Sequence, residues 1–155
     1  GSPFGLRDFG GQAFNSMRLE KMYRAYGAEF TEEISALEAG MDRFLDLSRN
    51  FIGSDNIKER QSKGVETQLA YLIFDDEIPA ECFGNEAVFD GDELSGIITS
   101  GAYGYRVGHS VAFAYLNPSH CNEGKALRVE TSLGSRKCHV SMNAAYDNDN
   151  EKLRS

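Results

Sequence analysis

GVETQLAYLIFDD, Gly64 to Asp76, is where the texture of this chain changes. Upstream of it, charged residues and short helical periodicities dominate. From Val65 onward, β-branched and aromatic residues gather in short runs. Within the stretch, ETQLAYLIFD carries residues that suit a pleated, half-buried surface, and it reads as a strand. The runs that follow repeat the pattern. EAVFDGDELSGIITS, Glu86 to Ser100, reads as a hairpin turning at Asp90-Gly91-Asp92. HSVAFAYLN, His109 to Asn117, is a further strand, and alternation places Val111, Phe113 and Tyr115 on one face. KALRVETSLGSRKCHVSMN, Lys125 to Asn143, divides into two strands around Gly134-Ser135. Five or more short antiparallel strands at this spacing predict a barrel or sandwich. The fold class expected is α+β: a short helical N-terminal segment, residues 1–64, followed by a small antiparallel C-terminal β-barrel, residues 65–155. No internal repeat is visible.

Working back from Gly64, residues 10–26 read as a helix with Gly27 as its C-cap. Its stretch FNSMRLEKMYRAYG poses a question. Phe14, Arg18 and Met22 are four apart and share a face, with Leu19, Tyr23 and Tyr26 widening the apolar surface around it. A structural arginine there covers apolar surface with its stem, or pairs with Glu20 or another carboxylate. A functional one is a recessed guanidinium for a planar anionic or carbonyl-bearing ligand, and points into an open concavity. Thr31 reads as the cap of a short turn, TEEIS. Met41, Phe44 and Leu47 are ambiguous between strand and loop. Ser54 reads as the cap of a polar surface helix over DNIKERQSK, ended by Gly64.

The chain has 155 residues and a net charge of −8, enough length for one domain with a modest core. Nucleic-acid binding needs a clustered basic surface, and the lysines and arginines here are scattered, so no nucleic-acid partner is expected. No apolar run approaches the ~20 residues that span a bilayer, so no membrane partner is expected either. The start, GSPFGLRDFGG, carries no hydrophobic signal core, which points away from export. Three cysteines at wide spacing, Cys82, Cys121 and Cys138, form neither a disulfide framework nor a zinc pattern. They read as free thiols in a reducing compartment. The histidines lack metal-ligand spacing; His120-Cys121 lacks further partners, and no metal residue is assigned.

TSGAYGYRVGHS, Thr99 to Ser110, is glycine-rich, but a phosphate cradle requires a helix to follow and here a strand does. A tight inter-strand loop is the expectation. Glu38 of LEAG reads as a capping or ion-pair residue. No Ser-His-Asp or Cys-His arrangement has the local context of a nucleophile, so no catalytic residue is assigned.

Taken together and in order, SMRLEKMYRAYG, LEAGM, NFIG, GVETQLAYLIFDD, GNEAVF, TSGAYGYRVGHSVAFAYL and YDNDNEKLR resemble the C-terminal part of the glycine-cleavage T-protein (aminomethyltransferase) family. The likeness is greatest to the T-protein-like portion of dimethylglycine and sarcosine dehydrogenases, and runs from about Phe9 to Arg154. The resemblance implies tetrahydrofolate as cofactor, one-carbon transfer from a small methylamine substrate, and FAD in a further N-terminal domain of the flavin-linked members. It implies residues 1–64 as part of the folate-binding domain and residues 65–155 as the barrel domain. The arginine of the family's RLE helix, a folate contact, matches Arg18. The aromatic near the ligand after LEAG is shifted here, with Arg43 before Phe44. Arg18, Arg43 and Phe44 are thus the cofactor-binding residues that the resemblance implies. Relatives usually have proline where Ala36 stands, and many have glycine where Met22 stands. The family's essential aspartate lies in an N-terminal segment not among these residues, so the resemblance implies a C-terminal fragment partnered by the rest of its polypeptide. Whether this fragment is itself an enzyme stays open. The compartment implied is cytoplasmic, or the mitochondrial matrix in a eukaryote. A non-catalytic regulatory or assembly module of the same fold is the alternative.

Overall fold

Six antiparallel strands close into a barrel in the order β1-β4-β3-β2-β5-β6 in the computed structural model, which describes residues 1–80 and 82–155. They are β1 (Gln68–Phe74), β2 (Ala87–Asp90), β3 (Glu93–Gly104), β4 (His109–Leu116), β5 (Ala126–Thr131) and β6 (Gly134–Ser141). The helices are α1 (Gly11–Glu20), α2 (Ser54–Lys63) and a short α3 (Glu151–Arg154). The expected fold class, a short helical segment followed by a small antiparallel barrel, is what the chain adopts.

Period-two alternation gives part of the barrel wall two apolar sides. Ala70, Leu72 and Phe74 of β1, with Ala112, Ala114 and Leu116 of β4, belong to the interior cluster along with Val88, Ile98, Val129 and Val140. The intervening residues Leu69, Tyr71, Val111 and Phe113 are buried too, in a second cluster around Leu19 of α1. Tyr115 packs against that second cluster, so the face expected from alternation, Val111-Phe113-Tyr115, is the outer one that α1 covers. Burying each such large side chain favours the fold by roughly 1.5–3 kcal/mol. Helix α1 is therefore fastened to the barrel rather than lying beside it.

The end of α1 is closed by partners from distant segments. The Tyr71 hydroxyl donates to the Leu19 carbonyl at 2.9 Å, and the Tyr146 N–H donates to the Glu20 carbonyl at 3.0 Å. These satisfy carbonyls that have no partner within the helix. Burial pushes the Tyr71 phenol well above its ordinary value, so it stays a donor. Lys21 extends this junction, reaching the Asp147 carboxylate at 3.1 Å and the Asn150 side chain at 2.7 Å. The C-terminal YDNDN run is thereby tied to the foot of α1.

Several expected boundaries move, each for a local reason. The first helix stops at Glu20 instead of 26, because Met22 has φ +58, a left-handed conformation that reverses the chain. Gly27, at φ +86, is not a helix cap; it sits in the tight loop closed by the Tyr26–Phe30 bridge. TEEIS forms turns and no helix, while Asp42–Phe44 forms a 3₁₀ turn. Gly53, left-handed at φ +88, caps α2, and Ser54 is its first residue; Gly64 ends it as expected. The glycine-rich stretch is mostly strand: Thr99–Gly104 closes β3, and only residues 105–108 turn. Gly101 and Gly104 answer to crowding, Gly108 to a left-handed turn at φ +80. At Gly101 a Cβ would lie 2.7 Å from the Cys82 Cβ, and at the neighbouring Gly96 only 1.9 Å from the Tyr115 carbonyl oxygen. The β2–β3 hairpin turns at Gly91-Asp92, within the expected stretch, whereas β5 and β6 join through Ser132-Leu133, with Gly134 opening β6.

Candidate functional site

Arg18 leaves α1 toward the barrel and is 7% exposed; Glu29, from the loop that follows, is fully buried, and the two form an ion pair at 2.9 Å. Four of the five guanidinium N–H donors are occupied. Nε donates to the Asn15 side chain at 2.9 Å, Nη1 to the Tyr23 carbonyl at 3.0 Å and to Glu29, and Nη2 to the Ser100 hydroxyl at 2.9 Å. Glu29 is equally satisfied. One oxygen accepts from Arg18 and, at 2.8 Å, from the Ala25 N–H; the other accepts from Thr99 at 2.9 Å and from Ser100. Two successive strand residues reach one carboxylate because β3 bulges there: Ile98 faces Ala114 and Ser100 faces Phe113, leaving Thr99 extra. A bulge re-aims a side chain in this way.

This geometry corrects the expectation of a guanidinium pointing into an open concavity. Arg18 has the carboxylate partner inside the chain that marks a structural arginine, and the partner is Glu29, not Glu20. Glu20 instead accepts from the Arg106 N–H at 2.6 Å. Arg18 still borders a cleft of about 750 Å³ between its loop and β3. Arg43 and Phe44 lie elsewhere, so the structure does not bring the three implied cofactor residues into one concavity.

Arg43 and Phe44 line a different cleft, of about 510 Å³, bounded by the loop after α1, the LEAG turn and the C-terminal run. They stack on one another, with the guanidinium carbon 4.6 Å from the ring centroid. Phe44 is 63% exposed, so one face of its ring is open to the cleft. Tyr23, Arg24 and Phe30 complete much of the wall. The LEAG turn is built from its own residues. Glu38 accepts from the Ser35 N–H at 2.7 Å while Ser35 Oγ accepts from the Glu38 N–H at 3.3 Å, the reciprocal arrangement of a capping box. Glu38 also pairs with Arg60 at 2.8 Å, so it is both the capping and the ion-pair residue expected.

Sequence reading missed Arg24, whose only signal was one more arginine in RAYG, and Glu29, a lone acid in an irregular loop. It also missed a Ser-His-Asp contact. The Ser95 hydroxyl lies 2.7 Å from His120 Nδ1, and His120 Nε2 lies 3.4 Å from Asp90. Ser95 is 6% exposed and lines none of the clefts described here, so it has no approach for a substrate. The three thiols are free and buried, and burial pushes them up to about 12, 11 and 12 for Cys82, Cys121 and Cys138. Among the described residues no cluster of three or more His, Cys, Asp or Glu could hold a metal ion. No helix among them is long and apolar enough to cross a membrane.

Residues 68–147 match the glycine cleavage T-protein C-terminal barrel domain, and residues 1–49 match the GCVT N-terminal domain. The mitochondrial dimethylglycine dehydrogenase of Mus musculus is 35% identical over 133 residues, covering 84% of this chain and 15% of that protein. An aminomethyltransferase of Corynebacterium aurimucosum is 32% identical over 132 residues, 84% of this chain and 35% of that one. The chain thus spans at most about a third of the length of these relatives. The crystal structure of the glycine cleavage system aminomethyltransferase T from Bartonella henselae matches with a TM-score of 0.79, over 88% of this chain and 38% of that chain, at 20% identity. That likeness carries the fold alone. The matches on both sides of α2 settle the family: this chain belongs to the glycine cleavage T-protein family.

Proposed function

We propose that this chain supplies part of a tetrahydrofolate pocket in a one-carbon-transfer protein of the dimethylglycine dehydrogenase or aminomethyltransferase kind. The observation that carries the reading is the Arg43–Phe44 cleft, where an exposed aromatic face, stacked with a guanidinium, lies beside a second guanidinium. Flat ring systems and carboxylates are the chemistry such a wall takes. Tetrahydrofolate, when bound, supplies the nitrogens that accept the one-carbon unit. The chain's own residues bind and orient: Phe44 offers a stacking face, and Arg43 a charge over it. Arg18, with four of its five donors occupied, contributes by fixing the loop that carries Tyr23 and Arg24 into the wall. The acid–base chemistry, any FAD and the methylamine site belong, in this reading, to the rest of a longer polypeptide. That polypeptide would cover Phe4, Phe9, Phe14 and Met17, all exposed here. An aqueous compartment, cytoplasm or mitochondrial matrix, follows from the same reading.

Titration of the chain with 5-formyltetrahydrofolate, followed residue by residue by NMR, tests it. Shifts concentrated at Arg43, Phe44 and their neighbours are expected. No shifts at millimolar ligand, or shifts elsewhere, would overturn the reading. Assayed alone with tetrahydrofolate and dimethylglycine or sarcosine, the chain should form no methylenetetrahydrofolate. Turnover above the uncatalysed rate would place the chemistry within these residues after all.

A further inference from the structure

Among the described residues, six Lys and Arg side chains are buried or half-buried: Arg18, Lys21, Arg24, Lys125, Arg128 and Arg136. Five of them hold a carboxylate in an ion pair, from Glu29, Asp147, Asp90, Glu130 and Asp76 in turn. Arg24 holds none. Its Nε donates to the Ala39 carbonyl at 2.8 Å, which fixes the plane of the guanidinium and leaves the Nη groups to the cleft. Gly40, left-handed at φ +63, makes room for it, since a Cβ there would sit 3.2 Å from Nη2. Arg43, likewise without an ion pair among the described residues, lines the same cleft. Burial first, and the charge of Arg43 next, hold the Arg24 guanidinium below its ordinary value. Glu29 nearby and the Phe113 ring, 5.8 Å from the guanidinium carbon, offset part of this, but no carboxylate pairs with Arg24, and two like charges in one partly desolvated place repel. A ligand anion would remove both penalties. Lys21 lines the cleft as well but is neutralised by Asp147.

We propose that Arg24 and Arg43 form a clamp for the carboxylate end of the ligand in this cleft, with Arg24 as the residue that sets its position. The clamp deepens the folate reading and rests on it for the identity of the rest of the ligand. A planar guanidinium anchored through Nε presents its remaining N–H groups as a fixed fork, which suits a carboxylate better than a mobile ammonium does.

The test uses three probes on the whole chain: 5-formyltetrahydrofolate, the same compound with its carboxylates amidated, and glutarate alone. Affinities are measured by calorimetry at low salt, with the arginine Nε–H resonances followed by NMR. The acid should bind about tenfold or more tightly than the amide. Arg24→Met and Arg43→Met should each weaken the acid about tenfold more than they weaken the amide. Glutarate should shift the Arg24 Nε–H signal. Arg43 is exposed, so Arg43→Met keeps the test valid if Arg24→Met folds poorly. Equal affinity for acid and amide overturns the clamp and leaves the folate reading standing. Glutarate binding that depends on Arg24, with no binding of either folate compound, leaves the clamp standing and overturns the folate reading. Failure of all three probes overturns both.

Discussion

In the barrel, the groups shut away from water are Leu72, Phe113, Val140 and their neighbours, and each strand pairs with two others. At the end of α1 and in the segment that leads from it through the LEAG turn, the charged groups shut away with Ala39 include Arg18, Glu29 and Glu38. Between α1 and α2 one isolated bridge, Tyr26 to Phe30, and one 3₁₀ turn stand in place of ladders. A chain without ladders has many backbone donors and acceptors to satisfy. Turn hydrogen bonds such as Gly27 N–H to the Phe30 carbonyl satisfy many of them, and charged side chains take others: Arg18 for the Tyr23 carbonyl, Arg24 for that of Ala39, Glu29 for the Ala25 N–H. The barrel should therefore be sensitive to lost volume, and the loop to lost charge. The cleft sits on the loop, so the proposed binding site rests on the part of the molecule expected to tolerate charge changes least.

The strongest expected effect is at the buried pair. Arg18→Met keeps the stem but leaves Glu29 charged, fully buried and short of a partner, which should cost about 3–5 kcal/mol. Denaturant unfolding measures the loss. Thiol labelling at pH 8 then shows where it falls. Burial, and next Asp75, push the Cys138 thiol up to about 12, so the folded chain holds it neutral, and it reacts only when β6 opens. If loop and barrel open separately, Arg18→Met speeds amide exchange in residues 21–31 and leaves Cys138 labelling near its parent rate. Equal acceleration of both would break the comparison and make them one cooperative unit.

Leu72→Ala should be the mirror image. Leu72 is 0% exposed in the barrel interior, and truncation there should cost about 3 kcal/mol through the cavity left behind. Cys138 labelling should accelerate accordingly. A cost under about 1 kcal/mol would mean that the interior collapses around the gap.

The difference between the regions also explains what was legible beforehand. Barrel strands announce themselves by alternation, and Val111, Phe113 and Tyr115 emerged on one face without a structure. The loop has no period. Its order comes from pairs distant in sequence, such as Glu29 with Thr99 and Ser100, and nothing local signals them. Arg18 was noticed because it interrupts a stripe, yet its role depends on a bulge in β3 that the sequence does not mark. The helix ran too far in the reading because periodicity continues past Met22, where a left-handed residue ends it. The glycine that the family resemblance leads one to expect at that position is the available clue, since glycine adopts this conformation without strain. For the same reason Arg43 and Phe44 could be named, from resemblance, while Arg24 could not.

Thr99→Val isolates the bulge. It keeps the shape and removes one of the four donors to Glu29, so about 1 kcal/mol should be lost. A larger loss would show that the bulge itself depends on the hydroxyl, and none at all that Ser100 and Arg18 suffice.

The smallest effect should come from the barrel's own charges. Asp76, on the loop after β1, is gripped by Arg136 of β6, whose Nε lies 3.0 Å from one carboxylate oxygen while Nη2 holds the other. That hydrogen bond is the main reason the Asp76 carboxyl lies below its ordinary range, against a smaller opposing push from burial. A depressed folded value means that the stabilisation is complete above the unfolded value, near 3.9, and fades as pH falls through the folded one. Because the Asp76 side chain is 41% exposed, solvent screens the pair and its worth should stay under about 1 kcal/mol. Urea melts of the parent and of Asp76→Asn at pH 6 and pH 2.5 separate the contributions. The two proteins should differ modestly at pH 6, and the gap should narrow at pH 2.5, below the unfolded value, as the folded carboxyl begins to take up its proton. A gap that persists unchanged in acid would assign the effect to packing of the loop. A gap as large as that of Arg18→Met would show that charge matters equally in barrel and loop, and would remove the distinction between them.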